Sequence, residues 1–524
     1  MGDHRNMTPT FEMVSGIAEV FDPVLATDPD REALVTRNGR WSYRQLDEAC
    51  ARAAGALARL GVHSGDRVAA TLANKAEIIM AFHGAMRLGA VWVGINQALA
   101  PPEQAFLLAD SRAQLWLADA AAIGAMAPHR GELTDLTTVL DDAAWRDAVA
   151  EAPALRDLAA VDASAPAGLA YTSGTTGRPK GAVHSQHNLL LPGAVIAAER
   201  GYGADLRKGD CFPLTIINMM VLTTLLTAQA GGTCVIMDQM YAEGVADWVE
   251  REQVTVWNGP PPILHSLVAH RAVAPSALAT LREVWSGGAD LPEALRAGFT
   301  EKFDLPIIGT YGLSEAPTVV SIDPPDGTHR AGASGLVLGH LDVRVLDDDG
   351  APMAAGEVGE ICLAPQTEGR FAGCYQPPLG YWDRADATDA LLAGGVVHTG
   401  DVGLVDAEGW LHIRDRKNLV IIRGGANVYP AEVERVLDAI DGVNASAVTG
   451  VADERLGQRV VAVIEVDVGV ALVTEDILAR CAAELARYKV PERLTFTETL
   501  PRNAMGKIDR TAVAALAEPG PPAA

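Results

Sequence analysis

The sequence predicts an α/β protein: a large N-terminal domain of two stacked α/β subdomains plus a small β subdomain, then a small α+β C-terminal domain. Three observations predict it. At 524 residues the chain exceeds what one hydrophobic core ordinarily supports, so at least two domains are required. Apolar runs of strand length alternate with helical periodicities through 41–95 and again through 161–320, the pattern of parallel sheets covered by helices. Beyond 333 that alternation gives way to short β-like runs separated by Gly, Asp and Pro.

Each element has its own signal. Leu46, Ala53, Leu57 and Leu60 recur at helical spacing, Ser42-x-x-Gln45 is a capping box, and Gly61 closes the segment, so this stretch reads as a helix. Val68-Ala-Ala-Thr-Leu-Ala, an apolar-periodic stretch to Gly89 and Ala90-Val-Trp-Val-Gly-Ile then read as strand, helix, strand. Gly168-Leu-Ala-Tyr-Thr, Gly232 to Met237 and Val254-Thr-Val-Trp-Asn are strands of the second run. Asp342-Val-Arg-Val-Leu, Gly359-Glu-Ile-Cys-Leu and Trp410-Leu-His-Ile suggest the β subdomain. The charged run Arg414-Asp-Arg-Lys-Asn418 marks the boundary, dividing the chain into 1–415 and 416–524. In the second part a helix is expected near Pro430 to Ala439 and a strand at Arg459 to Val466.

A formal net charge of -25, from 67 acidic against 42 basic residues, argues against a nucleic-acid or anionic-membrane surface, because such a surface would repel phosphate. An anionic substrate therefore needs locally concentrated cations. Six cysteines without a C-x-x-C pair fit reduced thiols and a cytoplasmic setting. The N-terminus lacks an apolar signal region and no segment has the length of a membrane span. His184-x-x-His187 has no second pair of soft ligands and makes a weak zinc candidate.

Thr172-Ser-Gly-Thr-Thr-Gly-Arg-Pro-Lys-Gly181 directly follows an apolar strand. Glycine lets backbone N–H groups approach phosphate oxygens, hydroxyls add donors and Lys180 supplies charge. The lysine spacing is not that of a Walker A loop. Read alone, the segment could also be a glycine-rich polar turn. It resembles the signature loop of the acyl-adenylate-forming (AMP-binding) superfamily. Thr310-Tyr-Gly-Leu-Ser-Glu315, Thr399-Gly-Asp401, Asp415-Arg-Lys417 through Gly424-Gly-Ala-Asn-Val-Tyr-Pro430, and Pro501-Arg-Asn-Ala-Met-Gly-Lys507 resemble further blocks of that family, in its order.

The resemblance implies an ATP-dependent acyl-coenzyme A ligase. Carboxylate attacks the α-phosphorus of ATP to give acyl-AMP and pyrophosphate; a thiol then takes the acyl group and releases AMP. It assigns Thr172, Ser173, Gly174, Thr175, Thr176, Gly177 and Lys180 to the phosphates, and Gly287, Gly288, Ala289, Tyr311, Gly312 and Ser314 to the nucleotide. Glu315, with Thr172, would hold Mg²⁺; Asp401 and Arg416 would hold the ribose; Lys507 would bridge carboxylate and α-phosphate. The C-terminal domain would be mobile, pivoting at Asn418, where the family usually has Asp or Lys, and presenting Gly424 and Gly425 for the coenzyme A half-reaction. Outside the resemblance each residue has a plainer reading: Lys507 solvated, Glu315 a surface charge, Tyr311 a core aromatic, Asp401 and Arg416 an interdomain ion pair.

Asn218, Met219, Trp257 and Trp285 are the acyl-pocket candidates, although these aromatics serve equally as core. Thr215-Ile-Ile-Asn-Met offers no Asp for an amino-acid ammonium. A medium-sized aliphatic, alicyclic or aromatic acid is therefore expected, as monomer or homodimer. A carrier-protein phosphopantetheine is the alternative acceptor, and an inactive nucleotide-binding homologue the remaining one.

Overall fold

Ser42 caps the first long helix as its spacing to Gln45 predicts. Its hydroxyl accepts from the Gln45 N–H at 3.3 Å, the Gln45 side chain accepts from the Ser42 N–H at 2.9 Å, and the helix Tyr43–Arg59 begins there. Such a cap contributes about 1 kcal/mol. Leu46, Ala53 and Leu57 are buried along one stripe of this helix. The computed structural model describes residues 11–156, 161–172, 179–288, 291–316, 319–423, 426–453, 455–467, 469, 472–503 and 506–517.

The chain forms two units. The first comprises Met1–Arg344, Cys362–Thr399 and Glu408–Leu411, the second Val345–Ile361, Gly400–Ala407 and His412–Ala524. The chain therefore passes from one to the other within the strands Leu341–Leu346, Gly359–Pro365, Val397–Val405 and Leu411–Arg416, and between Ala407 and Glu408. No described helix is long and apolar enough to cross a membrane.

Two sheets carry the first unit. One has seven strands in the order Gly380–Tyr381, Lys180–Ser185, Pro166–Thr172, Val91–Gly94, Arg67–Thr71, Leu115–Ala118 and Thr138–Leu140. The last five run parallel and the first two are antiparallel additions. The other has nine strands. Its parallel middle runs Ile307–Tyr311, Glu283–Gly287, Val256–Asn258, Arg207–Asp210, Thr233–Ile236 and Glu32–Thr36, with antiparallel strands at both ends. Thr172, Asp210, Asn258, Gly287 and Tyr311 all stand at carboxyl ends of parallel strands, where open α/β sheets collect their ligands.

Sheet membership differs from sequence order. Glu32–Thr36 and Gly39–Ser42 join the later strands, whereas Pro166–Thr172 and Lys180–Ser185 join the earlier ones. Strand propensity reports a pleated, half-buried environment and not the partner, so alternation alone does not assign sheets.

In the second unit the strand Gly457–Val466 pairs antiparallel with Val443–Asp453 and Ile421–Arg423, and parallel with Arg493–Thr497. Alternate residues face opposite sides, as strand geometry requires. Val460, Ala462 and Ile464 pack with Val433, Leu437 and Ile477, while Val461 and Val463 pack with Val513 and Ala517. The helices Pro430–Asp438 and Thr474–Glu484 thus cover one face and Arg510–Ala517 the other.

Candidate active site

Ala167–Ala170 are buried, and the strand they anchor ends at half-buried Thr172. The chain returns antiparallel as Lys180–Ser185, with Lys180 opposite Thr172. The glycine-rich segment therefore joins two hydrogen-bonded strands instead of opening a helix. Ser173, Gly174, Thr175, Thr176 and Gly177 lie outside the described residues.

Around Lys180 the first unit assembles a second cluster. The Lys180 Nζ lies 5.4 Å from the centroid of the Tyr381 ring. The Tyr381 hydroxyl donates to Glu315 Oε1 at 2.7 Å, three residues beyond Gly312. The neighbouring Ser314 carbonyl accepts from His184 Nε2–H at 2.7 Å. His184 is fully buried, and burial pushes its pKa down to about 4, so it donates as a neutral imidazole. His187 donates instead to the Cys374 carbonyl at 2.7 Å; the two imidazoles serve different backbone segments.

Gly287 and Tyr311 end adjacent parallel strands, Gly287 opposite Thr310. A Cβ on Gly287 would fall 2.1 Å from Thr310 Oγ1, so only glycine lets these strand ends close. Gly288 follows and Tyr311 is half-buried; Ala289 lies outside the described residues. Two strands from Glu283–Gly287 in the same sheet, Asp210 is fully buried, accepts from the Phe212 N–H and the Thr223 hydroxyl, each at 2.8 Å, and is bonded by the Asn258 amide. Thr223 belongs to the π-helical turn Met220–Leu225, a departure from α-helix that recurs at functional sites.

The acyl-pocket candidates separate. Asn218 and Met219 are half-buried at the start of that turn, and Asn218 Oδ1 has no hydrogen-bond partner among the described residues. Trp257 is wholly buried in the core with Val254 and Leu264. Trp285 is buried as well, donates its indole N–H to Glu283 at 2.8 Å, and stacks on Tyr202.

In the second unit Asp401 is nearly enclosed and accepts from Arg416 Nε at 2.7 Å, while Arg416 keeps half of its side chain exposed. Lys507 lies in the field of both. Desolvation lowers its pKa, the Arg416 charge lowers it further, and Asp401 opposes them. Lys507 stands on a turn based on the Arg502–Ile508 bridge, with the Asn503 carboxamide accepting from its N–H at 3.1 Å. Asp415 accepts from the Ala431 N–H at 2.8 Å, at the start of the helix Pro430–Asp438. Asn418 is exposed in the one-turn helix Lys417–Leu419. Gly424 and Gly425 lie outside the described residues.

A lysine on the strand that follows the hydroxyl- and glycine-rich segment, linked through Tyr381 to a carboxylate, suits a polyphosphate. The family model described as AMP-binding enzyme matches residues 21–369, and that described as AMP-binding enzyme C-terminal domain matches 432–507. The chain belongs to the AMP-binding enzyme family. This AMP-binding enzyme is 34% identical over 484 residues to the long-chain-fatty-acid–CoA ligase FadD13 of Mycobacterium tuberculosis, covering 90% of the chain and 92% of the relative. It is 34% identical over 508 residues to a feruloyl-CoA synthase of an Amycolatopsis species, covering 93% and 96%. ATP-bound MatB from Rhodopseudomonas palustris has the same fold, with a TM-score of 0.87 at 27% identity over 96% of this chain and 98% of that one. The AMP-binding enzyme falls in the acyl-CoA ligase branch, an AMP-forming acid–thiol ligase that uses ATP and coenzyme A.

Tyr381 and His184, which bond Glu315 and the Ser314 carbonyl, are residues that sequence reasoning missed. Tyr381 lies 66 positions from Glu315 in a two-residue strand, too short to show a period. His184 was visible, but only as half of a candidate metal pair.

Proposed function

We propose that this enzyme activates a medium-sized aliphatic, alicyclic or aromatic carboxylic acid as acyl-AMP and transfers it to coenzyme A. The observation that carries the reading is the Lys180–Tyr381–Glu315 cluster beside the return of the phosphate hairpin. Charge grows on phosphate oxygens during adenylation, and fixed cations and donors stabilise it without a covalent nucleophile. Lys180 would neutralise the outer phosphates. Thr172 and Glu315 offer the hard oxygen donors that Mg²⁺ takes and would hold it, and the ion when bound adds positive charge at the phosphates. Tyr311 would cover the adenine with Gly287 and Gly288 at its edge. Asp401 would accept from the ribose hydroxyls beside Arg416, and Lys507 would steady the attacking carboxylate on the α-phosphate.

Residues 416–524 would serve both half-reactions in turn, with Asn418 as pivot and Gly424–Gly425 presented for the thiol step. Relatives named for a long-chain fatty acid and for a feruloyl group support an acid with a sizeable apolar body. Six unbridged cysteines support a reducing, cytoplasmic setting.

The test is acid-dependent pyrophosphate release with ATP and Mg²⁺ over short, medium, alicyclic and aromatic acids, with and without coenzyme A. Strong stimulation by one medium-sized acid, with its thioester forming only when coenzyme A is present, is expected. Release that stalls near one turnover despite coenzyme A would move the acceptor to a carrier protein. No release with any acid would overturn the reading.

A further inference from the structure

Tyr381 occupies a position that the reading above leaves without a role. It pairs with Ala182 across the strand Lys180–Ser185, and Gly380 with Val183. Residues directly opposite in an antiparallel pair point to one face, as do alternate residues along a strand. Lys180, Tyr381 and His184 therefore share a face of the sheet. The Ser314–Glu315 segment is held at both residues: His184 bonds the Ser314 carbonyl and Tyr381 bonds the Glu315 carboxylate, each at 2.7 Å.

The tyrosine is itself fixed. Its N–H donates to Thr388 Oγ1 at 2.8 Å. Gly380 adopts φ of +112°, and a Cβ there would fall 2.3 Å from Thr388 Cγ2. Only glycine brings the strand this close to Thr388 and sets the ring beside Lys180. A ring under an ammonium and a hydroxyl on a carboxylate give one side chain a hold on both charges of the cluster.

We propose that Tyr381 is a positioning residue for the metal and phosphate end of the site, fixing the Glu315 carboxylate through its hydroxyl and the Lys180 ammonium through its ring. The proposal rests on the ligase reading in taking Glu315 as the metal-side carboxylate. It concerns Tyr381 alone: the hydroxyl sets which way Glu315 faces and leaves the remainder of the nucleotide site untouched.

Tyr381→Phe keeps the ring and deletes the hydroxyl. In the full chain, with a non-hydrolysable ATP analogue, Mn²⁺ affinity is measured by water-proton relaxation, and AMP affinity without metal by calorimetry. The expected result is a Mn²⁺ dissociation constant raised about five- to tenfold, with AMP affinity and melting temperature unchanged and the Mg²⁺ requirement for pyrophosphate release raised in parallel. In a Glu315→Gln background the same substitution should add nothing. Unchanged Mn²⁺ affinity, equal weakening of Mn²⁺ and metal-free AMP, or effects that simply multiply in the double variant would overturn the proposal. A parent protein that binds Mn²⁺ with the analogue yet activates no acid would defeat the ligase reading and leave this test intact.

Discussion

Lys507 leaves the chain on a short turn, and its chemistry is set by what surrounds that turn. Desolvation and the Arg416 guanidinium both favour the neutral amine, and Asp401 counters them. Replacing it by alanine removes the cation proposed to act on the first transition state, so acyl-AMP formation should fall on the order of 10²-fold or more. Thioester formation from supplied acyl-AMP should change little, a split that separates the two half-reactions. Equal loss in both would sink the assignment. Because its pKa is lowered, adenylation should decline on the alkaline side before an ordinary lysine would deprotonate. Lys507→Arg, which stays charged throughout, should retain whatever activity it has across that limb. A pH profile of pyrophosphate release for both proteins checks this.

The strand Arg207–Asp210 shows what an element must satisfy beyond its propensity. Lys208 and Asp210 are both fully buried; burial lowers the Lys208 pKa to about 8 and raises that of Asp210, while each one's charge opposes the other's shift. Asp210→Ala would strip Lys208 of its counter-charge and leave the Phe212, Thr223 and Asn258 donors unmatched, so a loss of about 3–5 kcal/mol is expected. Lys208→Met also takes a counter-charge from Asp210 but leaves its three hydrogen bonds in place, so it should cost less. Denaturant unfolding of the two variants measures the contrast, and equal costs would refute it. Apolar alternation and the Ser42–Gln45 cap exposed the neighbouring strands and helices in the sequence because those signals are local. Glu315, Asp401 and Lys507 stood out because their motifs are contiguous. The short strand at Tyr381, the π-turn at Thr223 and the exchange of strands between sheets depend on contacts distant in the chain, which no window of sequence contains.

Across the molecule, acid should act on the two units differently. His83, His184 and His340 are buried in the first unit, and burial pushes their pKa values down to about 3, about 4 and about 3. Each is neutral in the fold while the unfolded chain takes up a proton near pH 6.5. Their contribution to stability is therefore complete above that pH and is lost as pH falls toward the folded-state values. The slope approaches about 1.4 kcal/mol per pH unit for each histidine, or about 4 for the three. Depressed carboxylates such as Asp47 and Asp238 add their own losses only nearer pH 4, so the histidines govern the window from 6.5 to 4.5. Two such units remove about 8 kcal/mol, comparable to a domain margin of about 5–15 kcal/mol. The second unit contains His412 alone among the histidines, and buried Asp415, whose pKa is raised by desolvation, gains stability as pH falls. Calorimetry at pH 7 and pH 5 should show the first unit's transition moving down steeply while the second unit's holds. His83→Phe, in a pocket already lined by Phe21, should reduce the pH dependence by about one proton. Transitions that shift together, or a slope that His83→Phe leaves unchanged, would show that the buried histidines do not control acid unfolding.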